Sequence, residues 1–588
     1  MAKRNKYDVD ESLEQGFDFS KLKRSIVYVK PYAKLMLLAL GLSMLGSLLG
    51  LATPILLQQA MDVAIPEGDI SMVVWLAVAS LGLVLVSTIF GAIRGVIMSH
   101  CGQSIVYDIR KDIFDHLQQL PFSYYDSRPH GKILVRVVNY VNSVSDSLTN
   151  GLVNAILELL NLFFIAGYMF SINVKLSLII LSGMPILLIF ILLLKNVQKK
   201  ANFDNNNKNS NLTAYTCEAI EGVKVSQIFR RQKENQKIYG KLNKEYQKAW
   251  YKAAYLNNMM GPVTENLKQW VLCLVYIAGI LWISPSVEIG VLIAMATYAS
   301  KFWQPVISLA NIYNNLIKTM SYLERIFQTI DEPVDICDSP EAKPLPDMQG
   351  RVEFQNVRFA YEKDYYVLKG VDLTVEKGQR IALVGPTGSG KSTIVNLISR
   401  FYNVTEGKLL IDGVDINDIT LHSLRSQMGI MLQDSFIFTG TIADNIRYGK
   451  LDATDEEIRA AARAVCADEF ISQMEQGYDT PVTERGGQLS QGERQLIAFA
   501  RTMVSDPAIL ILDEATSSID AKTEKLLQQG IEKLMENRTS FVIAHRLSTI
   551  RNCDKILYID GGEIKEAGTH DELMAKKGYY YRLSTAQD

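Results

Sequence analysis

The stretch Gly385-Pro386-Thr387-Gly388-Ser389-Gly390-Lys391-Ser392-Thr393 decides how the second half of this chain folds. It lies between the apolar run Ile381–Val384 and a helical pattern that begins at Ile394. The spacing fits G-x-x-x-x-G-K-[ST] in the strand–loop–helix context that gives this pattern its meaning. Glycines at these positions let backbone N–H groups wrap a nucleotide's phosphates. The Lys391 ammonium then reaches the β- and γ-phosphates, and the Ser392 hydroxyl is placed for Mg²⁺. A bare Gly-rich turn between strand and helix does not call for Lys-Ser-Thr, so a nucleoside-triphosphate site is expected.

Working outward, Ala508–Leu512 is an apolar strand that ends in Asp513-Glu514. A parallel strand beside the phosphate loop would carry Asp513 to the metal end of the nucleotide. Glu514, one residue on, would orient or deprotonate the attacking water. Before the loop, Val352–Phe359 alternates as a strand does and leads into Ala360-Tyr361.

The 588 residues exceed what one core can organise. Composition shifts along the chain: Ala33 to Ile317 holds long apolar stretches with few charges, and the pattern after Arg351 is that of an α/β protein. Between them Asp331–Gly350 has four prolines, many acids and no apolar period, which reads as a linker. The expected division is a transmembrane domain over 1–330, a linker over 331–350 and a nucleotide-binding domain over 351–588. A formal charge of −2 gives no global basic field, so no nucleic-acid partner is expected. The six cysteines are far apart and form no C-x-x-C, which argues against a cysteine metal site or a disulfide framework.

Six segments are apolar for long enough to cross about 30 Å of hydrocarbon: Lys34–Leu57, Met72–Met98, Leu148–Ile172, Val174–Leu194, Asn266–Ile283 and Val287–Ile317, the last interrupted by Pro305. Lys and Arg are absent between Lys34 and Arg94, between Gly151 and Val174, and between Gln269 and Ser300, whereas Lys21, Lys23, Arg24 and the connection from Lys195 to Lys252 are basic. The positive-inside rule puts both termini in the cytoplasm, with a polar elbow rather than a cleavable signal before the first span. In the inner connection His100–Ser147, Ile105, Ile109, Ile113 and Leu117 recur every four residues, so the membrane helices are expected to continue into the cytoplasm. The polar residues in or beside the spans are Arg94, Asn154, Glu158, Asn161, Glu265, Lys268 and Lys301. Those within hydrocarbon should face protein or a water-filled cavity, Glu158 lining a pathway or bonding between helices.

Between the two nucleotide motifs stands Leu489-Ser490-Gln491-Gly492-Glu493-Arg494-Gln495. With it, the chain resembles a half-size ABC transporter of the exporter type over nearly its whole length, with the motifs in the family's order. The resemblance implies a six-span helical transmembrane domain with long cytoplasmic extensions, followed by an α/β P-loop domain. It implies that Tyr361 stacks on adenine, that Gln433 touches Mg²⁺, and that Thr483–Gly487 contacts the inner hairpins. It also implies that Ser490 and Gly492 close over ATP held by the opposite subunit, that Ser518–Asp520 crosses the dimer interface, and that His545 contacts the γ-phosphate. Weaker echoes are Tyr124–Asp126, Gly131–Leu134 and Arg136 in the first inner loop, Glu218–Gly222 in the second, and Glu324–Phe327 at the exit from the sixth span.

The chain departs from the family pattern in two places. Asn139-Tyr140 stands where an Asn-Asp pair is usual, and Gln491 and Glu493 replace the usual Gly and Gln of the signature. An altered signature beside a complete Glu514 site resembles one arm of a heterodimeric exporter, although altered signatures also occur in homodimers. The expectation is an ATP- and Mg²⁺-dependent exporter in a plasma membrane, bacterial by its layout, paired with a second half-transporter and carrying a multidrug- or lipid-like cargo. A membrane regulator that moves no solute, an importer and a peptide exporter are the rival readings. Nothing in the spans forms a recognisable cargo motif.

Overall fold

The structure is a computed structural model that describes residues 19–126, 128, 130–283, 288–362, 365–431, 435–483, 486–514, 521–544 and 547–587. Its chain divides into two compact units, Met1–Gln118 with His130–Asp331, and Gln119–Pro129 with Glu332–Asp588.

The first unit is helical: α1 (Phe19–Val29), α2 (Ala33–Gln59), α3 (Ile70–Leu117), then, past α4 (Phe122–Asp126) of the other unit, α5 (His130–Val135), α6 (Val141–Asp146), α7 (Leu152–Ile172), α8 (Val174–Glu221), α9 (Val223–Ile228), α10 (Gln232–Asn258), α11 (Met260–Ala278) and α12 (Ile289–Ile330). α3 and α8 are each 48 residues long, about twice what a bilayer requires. The two halves of α3 differ in what they face. From Ile70 to Ile97 its large apolar side chains include the exposed Trp75, Leu81 and Val96, whereas Met98, Cys101, Ile105, Ile109, Ile113 and Leu117 are buried at helical spacing. An apolar surface without a protein partner suits lipid, and the buried stripe beyond it suits a helix packed within protein.

Among the described residues four helical runs are long and apolar enough to cross a membrane: Lys23–Ala64, Ile70–Leu117, Ile133–Ile172 and Val174–Glu221. α11 and α12 occupy the fifth and sixth stretches read from the sequence. The polar groups of these helices turn to one another. Arg94 donates to Asn154, Ser47 to Asn161, and Lys301 to the Gly50 carbonyl at 2.8 Å. Asp62 accepts the Gly290 N–H at 2.5 Å, which ties the end of the first span to the start of α12.

The second unit holds a central sheet in the order β12-β11-β3-β10-β9-β6. Its strands are β3 (Arg380–Val384), β6 (Met428–Met431), β9 (Ile509–Glu514), β10 (Thr539–Ala544), β11 (Lys555–Asp560) and β12 (Glu563–Gly568); all pair in parallel except β12. Beside it an antiparallel sheet runs β2-β1-β4-β5, from β1 (Val352–Glu362), β2 (Tyr365–Val375), β4 (Glu406–Ile411) and β5 (Val414–Asp415), and a short pair joins β7 (Gly440–Thr441) to β8 (Pro481–Val482). The continuous apolar runs follow from burial on both faces. Ile381 and Leu383 enter one core with Ile509, Ile511, Phe541 and Ile543. Ala382 and Val384 enter the other with Leu510, Leu512 and Val542.

α4 belongs to this second unit although its sequence lies between two membrane helices. Phe122 stacks on Phe401 with centroids 4.8 Å apart, Tyr124 is buried, and Tyr402 donates its hydroxyl to Asp126 at 3.0 Å. The proline-rich segment after Asp331 is tied down as well: Lys343 N–H bonds the Asp418 carbonyl, and Met348 N–H bonds Gln427. The buried Arg400 donates to the carbonyls of Cys337 and Ile419.

In the helical unit a Cβ added at Gly183 would come within 2.7 Å of both the Trp303 ring and Val271. Gly183→Ala should cost about 1–3 kcal/mol and lower the thermal midpoint in detergent. Gly167→Ala, with open space around it, should leave that midpoint unchanged.

Candidate nucleotide site

β3 delivers the phosphate loop, and α13 (Lys391–Ile398) leaves it. Gly385 has φ +143° and Gly390 has φ +108°, left-handed values that side chains resist. A Cβ at Gly385 would overlap the Ile559 carbonyl oxygen, and one at Gly390 would come within 2.8 Å of Leu368. The loop is thus held against β11 and β2 with no room for side chains at these two positions. Lys391 is buried, and its Nζ is 2.8 Å from the carbonyl oxygens of both Gly385 and Pro386, so the ammonium folds back under the loop. Burial lowers its pKa from the ordinary lysine range, and the Asp513 carboxylate pulls the other way.

Ser389 is buried and its hydroxyl has no partner. Ser392 is exposed at the first turn of α13. The Thr393 hydroxyl is 3.2 Å from that of Tyr361, which is 47% exposed and flanked edge-on by Phe359 and Tyr402. Tyr402 was not singled out from the sequence; the only signal was an aromatic pair, Phe401-Tyr402, just past the helix that follows the loop.

The strand carrying Asp513 is not the immediate neighbour of β3, because β10 lies between them. The sheet nevertheless brings the ends level. Ile543 is in register with Leu383 on one side and Asp513 on the other. Asp513, the last residue but one of β9, therefore lies level with the end of β3 that leads into the loop, one strand away, and β10 ends at the same edge. Glu514 closes β9, and its side chain, like Gln433, Glu484, Arg485, Ser518–Asp520 and His545, lies outside the described residues.

The signature forms a helix start. Ser490 caps the helix Gln491–Val504: its hydroxyl accepts from the Glu493 N–H at 3.2 Å, and Glu493 accepts from the Ser490 N–H at 2.7 Å. This reciprocal pair is a capping box, for which Glu at the third position is as suitable as Gln. Ser490 is exposed and Gly492 buried. The substitution at Glu493 therefore leaves the serine poised at a helix N-terminus.

The arrangement fits a nucleotide. It has a cradle that a Cβ would fill, a buried cation beneath it and an unpartnered hydroxyl within it. One exposed hydroxyl and one carboxylate are the donor set expected for Mg²⁺, which keeps waters and takes phosphate oxygens. Among the described residues no group of three or more His, Cys, Asp or Glu gathers elsewhere.

Residues 36–306 match the family model "ABC transporter transmembrane region", and 368–517 match the model "ABC transporter". A curated Bacillus subtilis relative, the uncharacterized ABC transporter ATP-binding protein YknV, is 39% identical over 99% of this chain and 97% of its own length. The chain belongs to the ABC transporter family. The fatty acid ABC transporter ATP-binding/permease protein of Mycobacterium bovis is 38% identical over 82% of this chain and 76% of its own. Among solved structures, a bacterial Atm1-family ABC exporter with ATP bound superposes with a TM-score of 0.79 at 28% identity, covering 97% of this chain and 99% of that one. This transporter is a membrane-embedded ATPase with the half-transporter layout of the exporters, and its activity is ATP-driven export.

Two predictions follow from the loop and the signature. Gly385→Ala should displace the loop from Ile559 and weaken nucleotide affinity by about tenfold or more, near 1.4 kcal/mol, read by titration with a fluorescent ATP analogue. Glu493→Ala should cost about 1 kcal/mol of stability through the lost cap. Glu493→Gln, which keeps an acceptor, should match the wild type in the same denaturation.

Proposed function

We propose that this chain is one half of a dimeric exporter that moves a lipid-like or multidrug-like amphiphile out of a bacterial cytoplasm by alternating access. It would use six spans within 1–330, a linker over 331–350 and a motor over 351–588. The observation that carries this reading is the level ending of β3, β10 and β9, with Lys391 under the loop and Asp513 at its side. Gly385 through Thr393 would bind the phosphates, with Tyr361 against the adenine. When bound, Mg²⁺ would neutralise the developing charge on the transferred phosphoryl group, with Ser392, Gln433 and Asp513 as its protein ligands. Glu514 would orient or accept a proton from the water, and His545 would hold the γ-phosphate side.

Ser490 and Gly492 lie on their own helix rather than on the phosphate loop, which fits their closing over a nucleotide held by a second chain. The capping box keeps the signature serine at a helix N-terminus on this chain. The altered residues Gln491 and Glu493 favour a heterodimer with a different half-transporter. The absence of Lys and Arg from three intervals fits both termini and the motor in the cytoplasm of a plasma membrane. The relative named for fatty acids supports a lipid-like cargo over a peptide.

The test is Mg-ATPase activity of this chain alone in lipid nanodiscs. Glu514→Gln should retain ATP binding and lose about a hundredfold or more of turnover. Robust wild-type activity lost in the variant identifies a competent homodimer. A folded wild type that binds ATP and is inert identifies a missing partner. Full activity in the Gln variant rules out Glu514 as the acting base.

A further inference from the structure

Lys301 of α12 stands within an apolar span and pairs with no carboxylate among the described residues. Pro54 lies inside α2. Proline has no N–H, so the Gly50 carbonyl, four residues earlier, loses its helical donor. Lys301 supplies one, with its Nζ 2.8 Å from that oxygen. One turn back on α12, Tyr298 donates its hydroxyl to the Leu51 carbonyl at 2.6 Å; it is fully buried and stacks parallel to Tyr168 of α7. One turn back on α2, Ser47 bonds Asn161 of α7. Gly50 lies nine residues before the end of α2, and Lys301 twelve after the start of α12. These offsets are about 14 and 18 Å along the two helices, roughly half of a hydrocarbon core of about 30 Å. The two helix ends lie together, since Asp62 accepts the Gly290 N–H.

Among the groups just named only Lys301 is charged; Glu158 lies one turn from Asn161 on α7 and forms no ion pair with Lys301 among the described residues. One carbonyl takes one of the ammonium's three donors and offsets no net charge. No ion pair to Lys301 exists among the described residues, and the side chain is only partly buried. A charge at this depth is expensive unless something of opposite sign meets it. Arg94, a further cation on a spanning helix, is likewise bonded to a neutral amide, Asn154, with its Nε buried and unpartnered.

We propose that Lys301 is the headgroup site of an anionic amphiphile. A carboxylate or phosphate takes the free donors of the ammonium in mid-membrane, while the acyl chain lies in the surrounding apolar helices. This rests on the export reading and names the class of cargo. The bland alternative is that Lys301 merely plugs the gap left by Pro54. Lys301→Gln separates the two, because glutamine still donates to Gly50 but carries no charge.

The experiment uses the full chain in phosphatidylcholine nanodiscs without nucleotide. Binding of doxyl-stearic acid and of its methyl ester is measured by electron spin resonance, with lipid-only discs as the reference. The wild type is expected to prefer the acid by about tenfold, near 1.4 kcal/mol. Lys301→Arg should keep that preference and Lys301→Gln should lose it with an unchanged thermal midpoint. Should Lys301→Gln fold poorly, the pair Pro54→Ala/Lys301→Gln restores the helical donor, and the same loss is expected. A parallel arm compares retention of phosphatidate and phosphatidylcholine by native mass spectrometry. Preference for the free acid alone or for phosphatidate alone identifies the source, and either supports the site. Equal binding of acid and ester by the wild type together with no phosphatidate preference, or a preference surviving in the Gln variant, overturns it. Because no ATP is present, this outcome is independent of the ATPase test.

Discussion

The level ending of β3, β10 and β9 is the constraint on which the nucleotide half depends. Parallel pairing sets Leu383, Ile543 and Asp513 in one row, and both faces of each strand are buried in separate cores. A slip of one residue would exchange the two faces of a strand and cost the burial of every side chain on it. The register is therefore fixed by hydrophobic burial far more strongly than by anything at the site. The phosphate loop, the carboxylate strand and the exit toward His545 inherit their relative placement from it. Lys391 can remain buried under the loop because the backbone around it is already held by Ile559 and Leu368.

Much of this was legible in the sequence because the chemistry demands residue types that have no other reason to occur together. Gly-rich spacing ahead of Lys-Ser-Thr has one good physical use, and the four-residue spacing of Ile105, Ile109, Ile113 and Leu117 had to belong to a buried helix stripe. The place of β10 between β3 and β9 was not legible: parallel strands far apart in sequence leave no local trace of which is whose neighbour. Tyr402 escaped for a related reason, since only tertiary folding brings it against Tyr361. The signature gave the opposite lesson. Glu493 looks like a departure when read as a string, but at the third position of a helix it performs the same capping as the residue it replaces.

The proline gap in α2 links local backbone chemistry to the membrane interior. In water a freed carbonyl is hydrated at little cost; in hydrocarbon it must find a donor from the protein. Here the donor is Lys301, while Tyr298, one turn back on α12, bonds the next carbonyl, that of Leu51, whose helical partner Ile55 keeps its N–H. A neutral donor would have met the backbone's need at Gly50. A lysine adds a charge that the backbone does not require, and that surplus carries the argument for a ligand.

The chain passes between its two units at three points, after Gln118, Pro129 and Asp331. After Gln118 it leaves the helical unit, contributes α4 to the nucleotide-binding one, and returns at His130. Inside that second unit α4 is anchored by Phe401, Tyr402 and the Arg128–Glu332 pair at 3.1 Å. The units also join covalently between Asp331 and Glu332, two adjacent acids each held by an arginine: Asp331 by Arg24 at 2.5 Å within the helical unit, Glu332 by Arg128 within the other. These pairs are partly exposed and each contributes little alone. Their effect is to hold the chain on each side of that peptide bond within its own unit.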